Sequence, residues 1–147
     1  MDLQAQIQTL IREAPQDGQT PQAVLKISPA LLQVAQTLKF PQYYILQTLQ
    51  QNWQITTLQH RQDPSQQKTV IYAYAQLVDA TQASKTVGLV AVAVPVIQLL
   101  FQLLALDAVD SIIFQEQSHQ PQNGVEVPRQ GLQRLVQQQI QPPPYLA

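Results

Sequence analysis

Cysteine is absent from this chain of 147 residues. Its absence excludes disulfides, thiolate nucleophiles and cysteine-based metal sites, and it leaves the redox compartment open. Glycine is scarce, with 4 residues, and the sequence holds no G-x-G-x-x-G, G-x-x-x-x-G-K-[ST] or G-x-S-x-G motif. The chain therefore offers no recognisable phosphate-binding loop and no nucleophile elbow.

Charge is the second shortage. Charged residues make up 12% of the chain and the formal net charge is −1, which is about half of the ordinary charged fraction. The 8 basic residues are scattered singly, whereas nucleic-acid binding requires a basic stripe that neutralises phosphates. The composition thus argues against a nucleic-acid partner.

Glutamine stands where charge is missing. The 31 glutamines run from Gln4 to Gln141 and punctuate the apolar periodicity instead of forming one tract. We interpret them as surface positions. Glutamine in place of charged residues costs the helices little stability, because Gln is a good helix former. A weakly charged, Gln-rich surface repels other proteins little and offers many neutral hydrogen-bonding groups.

The most hydrophobic stretch, residues 87–114, is long enough to raise the question of a membrane span, which needs about 20 apolar residues. Its first part is rich in valine and favours a strand. Pro95 then suits the start of a helix, and Gln98 and Gln102 share one face of that helix. The stretch therefore predicts strand, helix, strand, and no transmembrane segment.

The strand before Pro95 is apolar on both faces, which is typical of a central strand covered by helices. The N-terminus lacks the charged-then-apolar layout of a secretory signal. We therefore expect a soluble, cytoplasmic protein. Association of residues 87–106 with a membrane surface is the alternative.

Helix signals dominate the N-terminal part of the chain. Asp2 is placed to cap a first helix with one apolar stripe. Thr20-Pro21 and Ser28-Pro29 both pair an N-cap with a first-turn proline. The sequence predicts one short helix and then a longer one from Pro29 to about Lys39.

Segments rich in β-branched and aromatic residues predict strands further on. Tyr43–Leu49 is compatible with a strand or with an extension of the preceding helix. Trp53–Gln59 predicts a strand, with a hairpin turn at residues 50–52. Thr69–Ala75 predicts another strand, followed by a short helix.

The C-terminal part combines a loop, a helix and a tail. Residues 118–128 predict an exposed loop with an Asn123-Gly124 turn, and Pro128 predicts the start of a last helix. The three prolines from Pro142 predict an extended polyproline tail over residues 142–147. Residues 1–141 are thus predicted to form a single α/β domain. It has one mixed sheet of about five strands, two N-terminal helices, one strand–helix–strand crossover and a C-terminal helix.

Few polar residues are candidates for chemistry. His60, Arg61 and Asp63 share one loop and suit a base, an anion binder and an orienting carboxylate, although Asp63-Pro64 is also ordinary turn chemistry. His119 and Glu116 show no metal-ligand spacing. No catalytic, cofactor-binding or metal-binding residue is predicted.

Two carboxylates and two tyrosines complete the candidates. Asp107 and Asp110 are interpreted as lying just beyond a helix C-terminus, because carboxylates oppose the dipole there. Strand alternation places Tyr72 and Tyr74 on one face, where interface or half-buried aromatics are expected. All four residues are candidate contacts for a ligand or partner.

Two resemblances emerge from these elements. The stretches at residues 41–58, 70–80 and 109–116 resemble an uncharacterised family of small cyanobacterial proteins. The layout from Trp53 to Ile140 is also similar to SseB-like (serine-sensitivity-enhancing) domains, through residues 71–74 with Asp79-Ala80 and through residues 109–114. Residues 115–117 depart from the Asn-Pro-like turn that those domains often carry. The resemblances imply a mixed fold and no particular activity.

The leading expectation for function is non-catalytic protein–protein interaction by a regulatory or assembly factor, with homodimerisation as a corollary. The alternative is a small-molecule-binding protein or an unrecognised enzyme, with a polar site near residues 60–63 and 107–110. An enzyme is the less favoured of these, and the partner stays open.

Overall fold

Alternating apolar side chains build a mixed sheet with helices on both faces in this computed structural model, which describes residues 2–14, 20–84, 88–116 and 124–140. The helices are α1 (Leu3–Glu13), α2 (Thr20–Ala35), α3 (Leu77–Ala83), α4 (Val96–Ala105) and α5 (Arg129–Ile140). The strands are β1 (Gln42–Thr48), β2 (Thr56–Gln59), β3 (Gln67–Tyr74), β4 (Leu89–Pro95), β5 (Ser111–Gln115) and β6 (Val125–Pro128). The predicted α/β class is confirmed, with six described strands in place of about five.

The strand order is β4-β1-β3-β5-β6, and β2 pairs with the first half of β3. β3 and β5 are parallel, while β1 is antiparallel to both of its neighbours, β3 and β4. β4 therefore runs in the same direction as β3 and β5. The chain makes two crossovers, β3–α3–β4 in one direction along the sheet and β4–α4–β5 in the other.

The two crossover helices lie on opposite faces of the sheet. Right-handed connections, the nearly universal choice, place helices on opposite faces when successive crossovers run in opposite directions. The contacts agree with this rule: α3 contacts β1, β3 and β4, whereas α1, α2, α4 and α5 pack against one another. One face thus carries a four-helix layer, and the other carries the short α3.

The main core lies between the four-helix layer and the sheet. Tyr43 and Phe114 meet there edge to face, with ring centroids 4.8 Å apart, a favourable geometry for aromatic pairs. α4 supplies five buried side chains and is the most apolar helix described. The strand residues of this core are Tyr43, Ile45, Ile71, Ala73, Val94, Ile112, Phe114 and Val127.

Pro29 does not begin a new helix, and that prediction was wrong. It lies inside the single helix α2. A proline inside a helix normally leaves the carbonyl four residues earlier without a donor. Here that carbonyl, Leu25 O, accepts a hydrogen bond from Ser28 Oγ at 2.8 Å. The serine interpreted as an N-cap instead replaces the missing donor.

The predicted turn at residues 50–52 is present and Tyr43–Leu49 resolves as strand β1, but the second strand starts later than predicted and pairs with β3 instead of β1. Thr48 N donates to Asn52 O at 2.8 Å across the turn, and Gln51 takes φ +69°. Trp53 makes one isolated bridge, to Gln47. Regular pairing begins at Thr56 because the chain then leaves β1 and joins β3.

β6 is a strand that the sequence did not predict. Val125–Pro128 was assigned to a loop, because four residues give too short an alternation to recognise. The predicted Asn123-Gly124 turn, His119 and the polyproline tail include residues outside the described ranges. Within those ranges, no helix has the length and apolar character needed to cross a membrane.

β4 is the outermost strand of the sheet that the described residues form, and its predicted central position was wrong. It pairs with β1 over all seven residues and forms the first strand of the order. Apolar residues on both faces of a strand do not distinguish a central strand from an edge strand in this fold. Here the edge strand also has α3 on one face and the four-helix layer on the other. A composition typical of a sheet interior therefore stands at a boundary.

Gln6 is a buried polar residue that joins three elements. Its side-chain Nε2 donates to Pro41 O at 2.8 Å, and its Oε1 accepts from Ile97 N at 2.9 Å. Ile97 N lies in the first turn of α4, where backbone donors lack helical partners. Gln6 thus caps α4 and fixes α1 against the start of β1.

We expect Gln6→Leu to lower the free energy of unfolding by about 1–3 kcal/mol, because the buried Ile97 N–H loses its acceptor. Gln8→Leu, on the exposed side of α1, is the matched control and should change little. Urea denaturation of both variants provides the measurement. Equal stability of the two variants would contradict the capping role.

Candidate functional site

The loop with His60, Arg61 and Asp63 is held by turn hydrogen bonds. His60 Nδ1 accepts from Gln62 N at 3.2 Å. Asp63 Oδ1 accepts from Ser65 N at 3.2 Å and from Ser65 Oγ at 2.5 Å. Asp63 thereby serves the turn chemistry that Asp-Pro sequences favour.

Asp110 ties the starts of β3 and β5 together. Its Oδ2 accepts from Thr69 N at 2.9 Å and from Thr69 Oγ1 at 3.2 Å. Asp110 O also accepts from Arg129 N at 2.8 Å. Asp107, by contrast, is exposed and lies 3.7 Å from Arg129. Both carboxylates lie beyond the end of α4, where the dipole argument put them.

The loop of His60 and the turn of Asp110 lie at the same end of the sheet, the amino ends of β3 and β5. A depression of about 350 Å³ contains Asp110 there, lined also by Lys68, Glu126, Pro128, Arg129 and Gln130. His60, Arg61 and Asp63 are not among its lining residues, nor are Tyr72 and Tyr74. The structure therefore places the polar candidates near one end without assembling them around that depression.

Glu126 is the best-bonded charge of this depression. Its Oε2 accepts from Lys68 Nζ at 2.5 Å and from Ser111 Oγ at 2.6 Å. Burial alone would raise the pKa of Glu126, but the hydrogen bonds from Lys68 and Ser111 outweigh it and lower that pKa. The contact links β3, β5 and β6 and acts as a structural ion pair.

Tyr72 and Tyr74 share the sheet face that carries α3, as predicted. Their ring centroids are 6.3 Å apart with a 31° tilt, and Tyr44 lies opposite Tyr74 in the β1–β3 register. Burial, and then the neighbouring Tyr72, raise the pKa of Tyr74. All three tyrosines are half-buried, so they stabilise this face and expose only part of their rings.

Tyr43 and Glu116 form a contact that sequence reasoning missed. Glu116 Oε1 accepts from Tyr43 Oη and from Lys39 N, both at 2.8 Å. Burial, followed by the hydrogen bond to Glu116, holds the pKa of Tyr43 far above its usual value. The pair fixes the end of β5 to the start of β1. Among the described residues, no group of three or more His, Cys, Asp or Glu is arranged to hold a metal ion.

The outer side of β4 carries backbone polar groups that have no partner among the described residues. Thr48 and Leu46 direct their backbone groups to the hairpin turn, so Tyr43, Ile45 and Gln47 direct theirs to β4. Their partners are Val94, Val92 and Val90. The remaining β4 residues therefore direct backbone N–H and C=O groups away from the sheet: Leu89, Ala91 and Ala93.

No described residue pairs with these outward groups of β4. The strand also carries no charged residue, although charges are a common protection of exposed edges. We call the outward backbone of Leu89, Ala91 and Ala93, together with the exposed side chain of Val90, the β4 edge. The sequence signal for it was the uncharged run itself, but the run does not reveal edge position.

Several exposed apolar side chains belong to β4 or to elements that contact it, on both faces of the sheet. Val90 is 42% exposed, which shows that the four-helix layer does not cover the amino-terminal half of β4. Leu49 follows Thr48, the residue opposite Leu89. Leu77 and Val78 belong to α3, which contacts β4. These are four of the six large apolar side chains that are described as exposed.

The opposite edge of the sheet has the usual protection. β6 is only four residues long and contains Glu126 and Pro128. A short strand, a charge and a residue without an N–H all discourage strand addition. The two edges therefore differ in chemistry, and the β4 edge is the candidate functional site.

Comparisons with family models, curated proteins and solved structures found no match for this chain.

Asp110→Ala should lower the free energy of unfolding by about 1 kcal/mol, because Thr69 N and Oγ1 lose their carboxylate acceptor. Asp107→Ala removes only an exposed ion pair and is expected to cost less than about 0.5 kcal/mol. Chemical denaturation of both variants tests this ranking. A larger loss for the Asp107 variant would contradict the assigned roles.

The Glu126 contact predicts a pH-dependent stability. Because the folded-state pKa of Glu126 lies below its ordinary value of 4.5, its stabilising contribution is present above that value and is lost as the pH falls through the lowered pKa. The stability difference between the native chain and Glu126→Gln should therefore shrink on acidification. Thermal unfolding from pH 7 to pH 3 measures it, and a difference that grows towards low pH would contradict the assignment.

Proposed function

We propose that this protein is a non-catalytic protein-binding factor that engages its partner by strand addition at the β4 edge. The observation that carries the proposal is a regular, uncharged edge strand whose outward backbone groups have no described partner. Strand addition satisfies such groups with main-chain hydrogen bonds. The flanking apolar side chains supply area that association removes from water.

The distribution of the other polar groups supports the same function. Asp63, Asp110 and Glu126 each accept hydrogen bonds that hold the local fold. Small-molecule binding at the same end of the sheet would have to replace or share these bonds. Strand addition at β4 breaks none of the bonds made between the described residues, so it is the function that the geometry favours.

A photo-crosslinking residue in place of Val90 tests the proposal in the cells that naturally make the protein. We expect a covalent adduct with one defined protein, identified by mass spectrometry, because Val90 lies beside the added strand. The same residue in place of the exposed Arg134, on α5, should give no comparable adduct.

Ala93→Pro in the crosslinking chain is the decisive companion variant. It removes an outward N–H that is not used within the sheet, and proline is tolerated on an edge strand. The adduct should disappear while the fold persists by circular dichroism. An adduct that survives this change, or no adduct at position 90, would overturn strand addition.

A further inference from the structure

β4 presents a conflict between composition and position. Its sequence LVAVAVP is apolar throughout, as is typical of strands flanked on both sides by other strands. Its position at the end of the strand order leaves one side unpaired among the described residues. A strand on that side would give β4 the environment that its composition suits.

We propose that the added strand is β4 of a second copy of this chain, related to the first by a twofold axis. This inference rests on the proposed strand addition and names its partner. Twofold symmetry makes the interface isologous, so that the same surface serves both copies. With the axis perpendicular to the sheet, it also makes the two β4 strands antiparallel.

The positions of the outward groups set the register. Leu89, Ala91 and Ala93 are spaced symmetrically about Ala91. With the axis beside Ala91, each Leu89 faces Ala93 of the second copy, and the two Ala91 residues face each other. Every outward N–H then meets an outward C=O, since opposed residues in such pairs exchange both hydrogen bonds. The edge is therefore self-complementary without a shift or a bulge.

The side chains fit the same register. Val90 faces Val92 of the second copy in a close, non-hydrogen-bonded pair. This pairing covers the side chain that is 42% exposed in the single chain. Ala91 and Ala93 on the other face are small enough to avoid a clash at the axis.

Charge and closure favour a second copy over another partner. A charged residue at the twofold axis would face its own copy, and like charges directly opposite are destabilising. β4 has no charge to repel its copy, and it offers none to select a charged partner. Pairing consumes the β4 edge, and β6 at the other end of the strand order carries Glu126 and Pro128, so neither end of that order extends the assembly beyond two chains.

Because the native chain has no cysteine, a single introduced cysteine can test the register through interchain disulfide formation. Ala91→Cys should form an interchain disulfide under mild oxidation, because opposed hydrogen-bonded residues have Cα atoms about 5.5 Å apart. In Ala93→Cys the two sulfur-bearing residues are offset by four positions, or about 14 Å along the strands, so no rapid disulfide should form. Non-reducing electrophoresis compares them, and efficient crosslinking of the Ala93 variant instead would overturn the register.

The oligomeric state provides an independent test. Light scattering of the purified native chain should give twice the chain mass of 16.5 kDa. Ala93→Pro should give the single mass. Ala93→Val introduces the same number of side-chain carbons as proline but keeps the backbone N–H, so this variant should remain a dimer. Circular dichroism and urea denaturation verify that all three fold.

The outcomes separate the two proposals. A native chain that stays monomeric while position 90 crosslinks to a different protein overturns the second copy and leaves strand addition standing. A monomeric chain without any adduct overturns both. A dimer that persists in Ala93→Pro shows a different interface and rejects pairing through β4.

Discussion

The handedness of two crossovers controls the architecture. From β3 the chain crosses β1 to form β4, and it then returns across β1 and β3 to form β5. Because both connections are expected to be right-handed and run in opposite directions, α3 and α4 cover opposite faces. The same path leaves β4 outermost. The position of the candidate interaction edge is thus a consequence of topology, although its chemistry comes from sequence.

The polar residues form local ties within this arrangement. Gln6 caps α4 and holds Pro41, while Asp110 joins the starts of two parallel strands. Glu116 joins Tyr43 to the other end of β5. In a chain with 12% charged residues and 9 carboxylates, two of those carboxylates are thus used to join strands. The polar side chains thereby stabilise the sheet ends, while the outer side of β4 is left to main-chain groups.

The sequence predicted the individual helices and strands better than it predicted which of them pack or pair with one another. The sequence correctly predicted a strand before Pro95, a helix after it and then another strand. The signals were the valine content, the proline and two glutamines, and each of them acts within a few residues. The helix start predicted at Pro29 was wrong, because the hydrogen bond from the Ser28 side chain to Leu25 O replaces the backbone bond that the proline removes inside the helix. The strand Val125–Pro128 was not predicted, because its pairing with β5, and not its sequence propensity, makes it a strand. The turn at Asp63-Pro64 was predicted from the sequence, but the position of its loop at the same end of the sheet as Asp110 was not, because that position depends on strand pairing.

The sequence by itself determined the α/β class, the apolar stripes of the helices and the uncharged character of β4. These depend on side-chain type and on the periods of helix and strand. Only the tertiary structure decided that β4 lies at an edge, which of its backbone groups face outward and which apolar side chains stand beside it. Strand order and register arise from contacts between residues far apart in the chain. An apolar run has the same local pattern in the middle of a sheet as at its boundary.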